Sequence, residues 1–378
     1  MNPLLERMQG YPMVKLDQRK EELRARGVTV FDFGVGDPVE ETPAFIREAF
    51  LAAVPVQSQY PTVAGLPKLR EAAAGYLERR FGVTLDPSTQ ILHSSGSKEA
   101  VFHLPLAVID PASAKRVVVM PDPGYPVYER GAQFAQGIVE KVPLRADRGF
   151  LLEPADLPAA LLEKTALFWT SYPHNPTGAV ADRGYYERVV KAAEQHGFLV
   201  ASDECYVDLW FDRKPASILE VTSKNVLAIH SCSKRSGMTG FRSGFMAGDA
   251  TLIAALKKLR PSMGVASPEM TQLAAAAAWS DDVHAEERRL VFSKKRDRML
   301  AFLKEKGLAV SWSEGTFFLW IATPQGHTSE SYALRLLDEG IVVSPGTFFG
   351  AGEGYFRVAL VPSLEEIDAA IARWRKVP

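Results

Sequence analysis

Short apolar runs recur through the first two thirds of the chain, and each stops in a polar or turn-forming cluster. "QILHSSGSKEA" passes from an apolar run through a loop into a helical pattern around 90–110, and "KRVVVMPDPGYP" does the same near 116–126. "TALFWTSYPHNPTG" (165–178), "GFLVASDECY" (197–206) and "NVLAIHSCSK" (225–234) repeat the pattern. Helical stretches such as "DRGYYERVVKAAEQHG" (182–197) separate several of them. Alternating strands and helices predict an α/β fold around a mostly parallel sheet. Ligands of such sheets sit beyond the carboxyl ends of the strands, where the polar clusters fall, so those clusters are expected to converge. One strand should break the pattern. About ten residues separate "VLAIHS" from "FRSGFMAG", too few for a parallel crossover, so "FRSGFMAG" is expected to run antiparallel.

After residue 265 the texture changes. "SPEMTQLAAAAAW" and "DDVHAEERRLVFSKKRDRMLAFLKEKG" read as successive helices, the second long and amphipathic. The short strands "LAVSWS", "TFFLWIAT", "IVVSPG" and "YFRVALV" follow, then a last helix, "SLEEIDAAIARWRKV". This predicts a smaller α+β domain joined through the long helix. "VFDFGVGDPVEETP" lacks a following crossover strand and is assigned to it. The expected division is a large domain over 45–283 and a discontinuous small one over 1–44 and 284–378.

The 378 residues, 47% hydrophobic and 24% charged, suffice for a large core or two packed domains. Lys plus Arg is 44 and Asp plus Glu is 45, for a net charge of −1, which argues against a nucleic-acid-binding face. No run of about 18 apolar residues offers a membrane span. Residues 1–27 hold no long apolar stretch and no small-residue cleavage site, so export is not expected. Cys205 and Cys232 cannot build a disulfide framework, and a cytoplasmic location is expected. Each ends an apolar run and reads as a small buried hydrophobe.

Several residues carry candidate chemistry. In "HSCSKRSGMTGFRSGF" (230–245), Lys234 follows a buried strand, with Ser231 and Ser233 before it and Arg242 after it. A lysine that attacks a carbonyl must be neutral, so its pKa must fall from about 10.4, through burial or nearby cations. A solvated loop lysine is the plain alternative. Asp203 ends an apolar strand, either as a helix N-cap or as a functional carboxylate. Asn175 sits in "YPHNPTG", an Asn-Pro turn compatible with a cis bond before Pro176. "SSGSKEA" puts Gly96, Ser97 and Lys98 at a strand-to-helix turn suited to an anion, with Ser97 also a plausible N-cap. Arg357, in the apolar "YFRVALV", has no local acid and is suited to a carboxylate. "GVGDP" lacks the rest of a dinucleotide fingerprint, and no phosphate loop of the GxxxxGK type is present.

Together and in this order, these motifs resemble the fold-type-I, class I/II aminotransferases that use pyridoxal phosphate, over nearly the whole chain. The resemblance implies a seven-stranded, mixed but mostly parallel sheet flanked by helices. The pattern serine-x-serine-lysine with glycine-x-arginine is met by Ser231, Ser233, Lys234, Gly240 and Arg242. By resemblance Lys234 forms the Schiff base and moves the substrate proton, and Asp203 pairs with the ring nitrogen. Tyr206 and Asn175 donate to the phenolate oxygen, and Tyr125, in "DPGYP", stacks on the ring. Gly96, Ser97, Lys98, Ser231, Ser233 and Arg242 hold the phosphate. Gly36, Asn175 and Arg357 receive the substrate carboxylate. Tyr60, in "SQYPTVAGLPKLREA", matches a tyrosine that reaches the neighbouring subunit's phosphate, implying a homodimer with shared sites. No metal is implied.

The implied reaction is ping-pong transfer between an L-amino acid and a 2-oxo acid. "GSKEAVF", "YPHNPTGAV" and "SPGTFFGAGEGYFRVAL" are most similar to bacterial N-succinyl-diaminopimelate aminotransferases of lysine biosynthesis, with glutamate and 2-oxoglutarate as partners. Aspartate or alanine transamination stays open, as does carbon–sulfur β-elimination. A non-catalytic regulator is disfavoured, because the stretch before "FDFGVGDP" leaves no room for a DNA-binding segment. Arg260, in "KKLRPSMGVASP", stands roughly where some relatives present a second arginine to a distal carboxylate. Its spacing to the next proline differs, so the last turn of a charged helix is the favoured reading.

Overall fold

The computed structural model describes residues 1–7 and 14–377. Of the first segment assigned to a small domain, residues 8–13 therefore lie outside the described residues. The strands, in chain order, are β1 (Phe31–Asp32), β2 (Ile91–Ser94), β3 (Val117–Asp122), β4 (Ile138–Pro143), β5 (Thr165–Ser171), β6 (Leu199–Asp203) and β7 (Val226–Ser231). After them come β8 (Gly244–Gly248), β9 (Val310–Trp312), β10 (Phe318–Ala322), β11 (Ile341–Val342), β12 (Ser344–Pro345) and β13 (Tyr355–Ala359).

Seven strands form the main sheet in the order β2-β8-β7-β6-β5-β3-β4. Five run parallel, from β7 across to β4, while β8 is antiparallel to both β7 and β2. This is the reversal that the short β7-to-β8 connection predicts. The strands are apolar on both faces, as expected for a sheet covered on two sides. Their alternate residues divide between two cores: Val226 and Ala228 face one, Leu227 and Ile229 the other. Helices such as Ser97–Val108 and Arg183–His196 cover the faces. The second ends cleanly, with Asp182 capping the Tyr185 amide at its start and Gly197 in a left-handed conformation at its end.

The four-stranded antiparallel sheet β12-β13-β10-β9 follows the 23-residue helix Val283–Glu305 and has its own buried cluster. β1 pairs in parallel with β11, Phe31 opposite Ile341, so the early "VFDFGVG" segment joins the late strands. Among the described residues, no helix is long and apolar enough to cross a membrane.

Candidate active site

Strand register brings the expected residues together. Ser171, Asp203 and Ile229 stand level at the carboxyl ends of β5, β6 and β7, with Asn175 and Lys234 a few residues beyond. Antiparallel β8 sets Gly244 opposite both Ser231 and Ser94, which carries Arg242 and Gly96 to the same end of the sheet. A cavity of about 570 Å³ opens there. Gly36, Ser97, Lys98, Tyr125, Asn175, Asp203, Tyr206, Ser231, Ser233, Lys234, Arg242 and Arg357 all line it. Gly96 is not among the lining residues but lies beside Arg242, and Tyr60 is fully exposed on this chain.

The Lys234 amine donates to the Gly36 carbonyl at 2.5 Å and lies 5.4 Å from the centre of the Phe317 ring. Burial lowers its pKa to about 8, with Arg357 and Arg288 adding to the effect and Asp37 opposing it. A solvated loop lysine is thereby excluded. Asp203 is not a helix N-cap; it accepts a 2.8 Å hydrogen bond from the Tyr128 hydroxyl and one from the Cys205 amide at 3.3 Å. Burial still raises its pKa, so the pocket has a carboxylate that gains from a cationic partner.

Arg357 donates to Asn175 Oδ1 at 2.9 Å and to the Gly34 carbonyl at 2.7 Å. A guanidinium can only donate, so Asn175 must turn its oxygen to Arg357, leaving its amide NH₂ as a donor. Phe318 and Phe349 cover the guanidinium at 4.0 and 4.4 Å. Tyr206 packs edge-on against Phe317 and Phe318, and burial raises its pKa well above the ordinary value, so it is a hydrogen-bond donor.

At the other end, Arg242 donates to the Thr239 and Ser95 carbonyls, at 2.8 and 3.4 Å. A side-chain carbon at Gly96, which has φ of +81°, would come within 2.6 Å of that guanidinium, so the turn leaves an open cradle beside it. Gly96, not Ser97, is the N-cap of the helix Ser97–Val108. Ser231 accepts from the Ser233 amide at 3.2 Å, Lys98 is exposed, and Gly240 has open space around it.

The donor set fits pyridoxal phosphate: an anion cradle at Gly96 and Arg242, a buried carboxylate for a ring nitrogen, and a lysine amine of lowered pKa between them. The family model described as aminotransferase class I and II matches residues 28–373. The chain belongs to the class I and II aminotransferases, pyridoxal-phosphate enzymes of fold type I. It is 36% identical over 376 residues to the LL-diaminopimelate aminotransferase of Nitratidesulfovibrio vulgaris, covering 97% of this chain and 96% of that one. Among solved structures it is similar to a double mutant of Thermus thermophilus aspartate aminotransferase, with TM-score 0.93 and 28% identity over 100% of this chain and 99% of that one. A probable N-succinyldiaminopimelate aminotransferase, also from Thermus thermophilus, gives TM-score 0.90 and 30% identity, over 97% of this chain and 100% of that one.

One sequence reading needs revision against this aminotransferase site. Cys205 is half-buried and lines the pocket, unlike the fully buried Cys232; burial raises its thiol pKa well above normal, so it stays protonated. Arg260 caps the C-terminal end of the helix Ala250–Leu259, as the favoured reading expects, and is wholly buried there. It clasps Glu99 through Nε and Nη2, at 3.1 and 3.0 Å, and bonds the Val63 carbonyl with Nη1. Sequence reasoning also missed Tyr128, one helical turn past Tyr125, whose ring stacks on Trp169 with 4.7 Å between centroids. The available signal was the spacing of the two tyrosines in "GYPVYE".

Proposed function

We propose that the chain transfers the amino group of a diaminopimelate-type amino acid to a 2-oxo acid, with Lys234 as the reacting amine. The observation that carries the transfer chemistry is Lys234, at a pKa of about 8, in one pocket with Asp203 and Arg357. Bound pyridoxal phosphate supplies an electron sink for the substrate's α-carbon. Asp203, fixed by Tyr128, holds a proton on the ring nitrogen. Lys234 takes the proton from the α-carbon. Arg357 clamps the α-carboxylate in bidentate fashion beside Gly36, and Asn175 and Tyr206 donate to the ring oxygen. Gly96, Ser97, Lys98, Ser231, Ser233 and Arg242 would hold the phosphate, Tyr125 would pack against the ring, and Phe318 and Phe349 would exclude water.

For the substrate, the reading moves from N-succinyl-diaminopimelate to LL-diaminopimelate, with glutamate and 2-oxoglutarate kept as the partners. Relatives 36–38% identical over at least 95% of this chain carry the LL-diaminopimelate name. Aspartate is less favoured, because Arg260 is committed to Glu99. The proposal includes a cytoplasmic homodimer, in which Tyr60 completes the partner's phosphate site. It also includes the two-domain division at about residues 44 and 283.

Half-reactions of the loaded enzyme with LL-diaminopimelate, N-succinyl-LL-diaminopimelate, aspartate, alanine and glutamate test the reading through loss of the visible cofactor band. LL-diaminopimelate is expected to be the fastest donor after glutamate. Release of pyruvate from a cysteine-type substrate without any oxo-acid acceptor, and with no response to the other donors, would overturn transamination in favour of β-elimination.

A further inference from the structure

Behind Lys234 lies a charge cluster to which the roles above assign nothing. The helix Val283–Glu305 carries Arg288, Phe292 and Lys295 on one buried face, spaced by four and then three residues. Arg288 Nε donates to the Lys234 carbonyl at 3.1 Å. Arg288 and Lys295 flank the Phe292 ring at 5.4 and 5.2 Å. Both cations face Glu40: Lys295 donates to Oε1, and Arg288 Nη2 stands 3.9 Å from Oε2. That arginine nitrogen and carboxylate oxygen are buried and have no closer hydrogen-bond partner among the described residues.

Glu40 continues the segment whose Gly36 carbonyl receives the Lys234 amine, so the contacts close a circuit around the lysine. Thr42 Oγ1 fastens the same segment to the Gly237 carbonyl at 2.6 Å. Gly237, at φ +65°, leaves little room for a side chain: a Cβ there would sit 3.0 Å from Arg288 Nη1 and 3.4 Å from the Glu40 carbonyl. Arg288 and Lys295 are only 7% and 1% exposed, so two buried cations share one carboxylate and leave an excess of positive charge. Of the charged groups facing Lys234, Arg357 and Arg288 favour its neutral form, while Asp37 opposes it.

We propose that Arg288, with Glu40 as its counter-charge, is a positioning residue that holds the Lys234 turn against the Gly34–Glu40 segment and places a positive charge behind the amine. This rests on the reading of Lys234 as the reacting amine. A purely structural brace would lose function in the same direction whichever partner is changed. A charge relay to the lysine would not: removing Arg288 takes away a cation, whereas neutralising Glu40 uncovers it.

The test is the pH dependence of Lys234 acylation by acetic anhydride in the cofactor-free protein, followed by peptide mass spectrometry from about pH 6 to 11. Arg288→Met is expected to raise the midpoint and Glu40→Gln to lower it, each by roughly half to one pH unit. Arg288→Lys should stay near the parent. Thermal unfolding of each variant reports whether it is folded, and if Glu40→Gln is not, Arg288→Met against Arg288→Lys decides the matter. Unchanged midpoints, or shifts of both variants in one direction, would overturn the inference and leave the functional reading standing. A Lys234 that stays unmodified at every pH in the parent protein would sink both.

Discussion

The two ends of the pocket are built on opposite plans. At the Gly96 end, Arg242 is exposed and donates to backbone carbonyls, those of Thr239 and Ser95. At the other end, Arg357 and Asp203 are buried, at 6% and 9% exposed. Their partners are the Gly34 carbonyl and the Asn175 side chain for one and the Tyr128 hydroxyl for the other. An exposed cation and free amides suit a phosphate dianion, which brings its own charge and tolerates small displacements. Buried, fully oriented groups act in a low dielectric, where each interaction counts for more and misplacement costs more. The chemistry should therefore depend on the buried end and the cofactor's retention on the exposed one.

Substitutions can break that contrast. Arg357→Ala should have the largest effect, lowering kcat/KM roughly 10³-fold for every amino acid with the cofactor still bound, since it removes a buried bidentate clamp. Unchanged KM across donors would refute the clamp. Asp203→Asn should lower kcat by about 10²-fold with an unaltered phosphate site, measured in single-turnover half-reactions. Arg242→Ala should behave in the reverse manner: the dissociation constant of pyridoxal phosphate rises about 10- to 100-fold, while kcat at saturating cofactor changes only a few-fold. Equal losses in kcat for Arg242→Ala and Asp203→Asn would erase the distinction. Tyr128→Phe is the mildest, removing one hydrogen bond from Asp203 for about a 3- to 10-fold loss in kcat.

The same contrast explains what could be read from the sequence. Strand ends, the reversal at β8 and the anion turn depend on neighbours within a few residues, so local pattern revealed them. The Ser231-to-Arg242 stretch also encodes its own geometry, because β7 and β8 are adjacent antiparallel strands. Tyr128, Glu40 and Arg288 were hidden because their meaning lies in contacts across the fold. Arg288 and Lys295 even look misplaced locally, two cations on the inward face of a helix, and with them there the helix is scarcely amphipathic, contrary to the expectation from its pattern. Such buried charges are the trace that tertiary partners leave in a sequence. Arg260 shows the limit of analogy: it occupies nearly the position of a substrate-reading arginine, yet its own chain satisfies it through Glu99.

The central claim is that Lys234 is the amine on which the reaction turns. Lys234→Ala, reconstituted with pyridoxal phosphate, is expected to bind the cofactor through the phosphate end, yet show neither the visible band of the parent enzyme nor amino transfer with any donor. A variant that keeps that band, or turns over at the parent rate, would contradict the account.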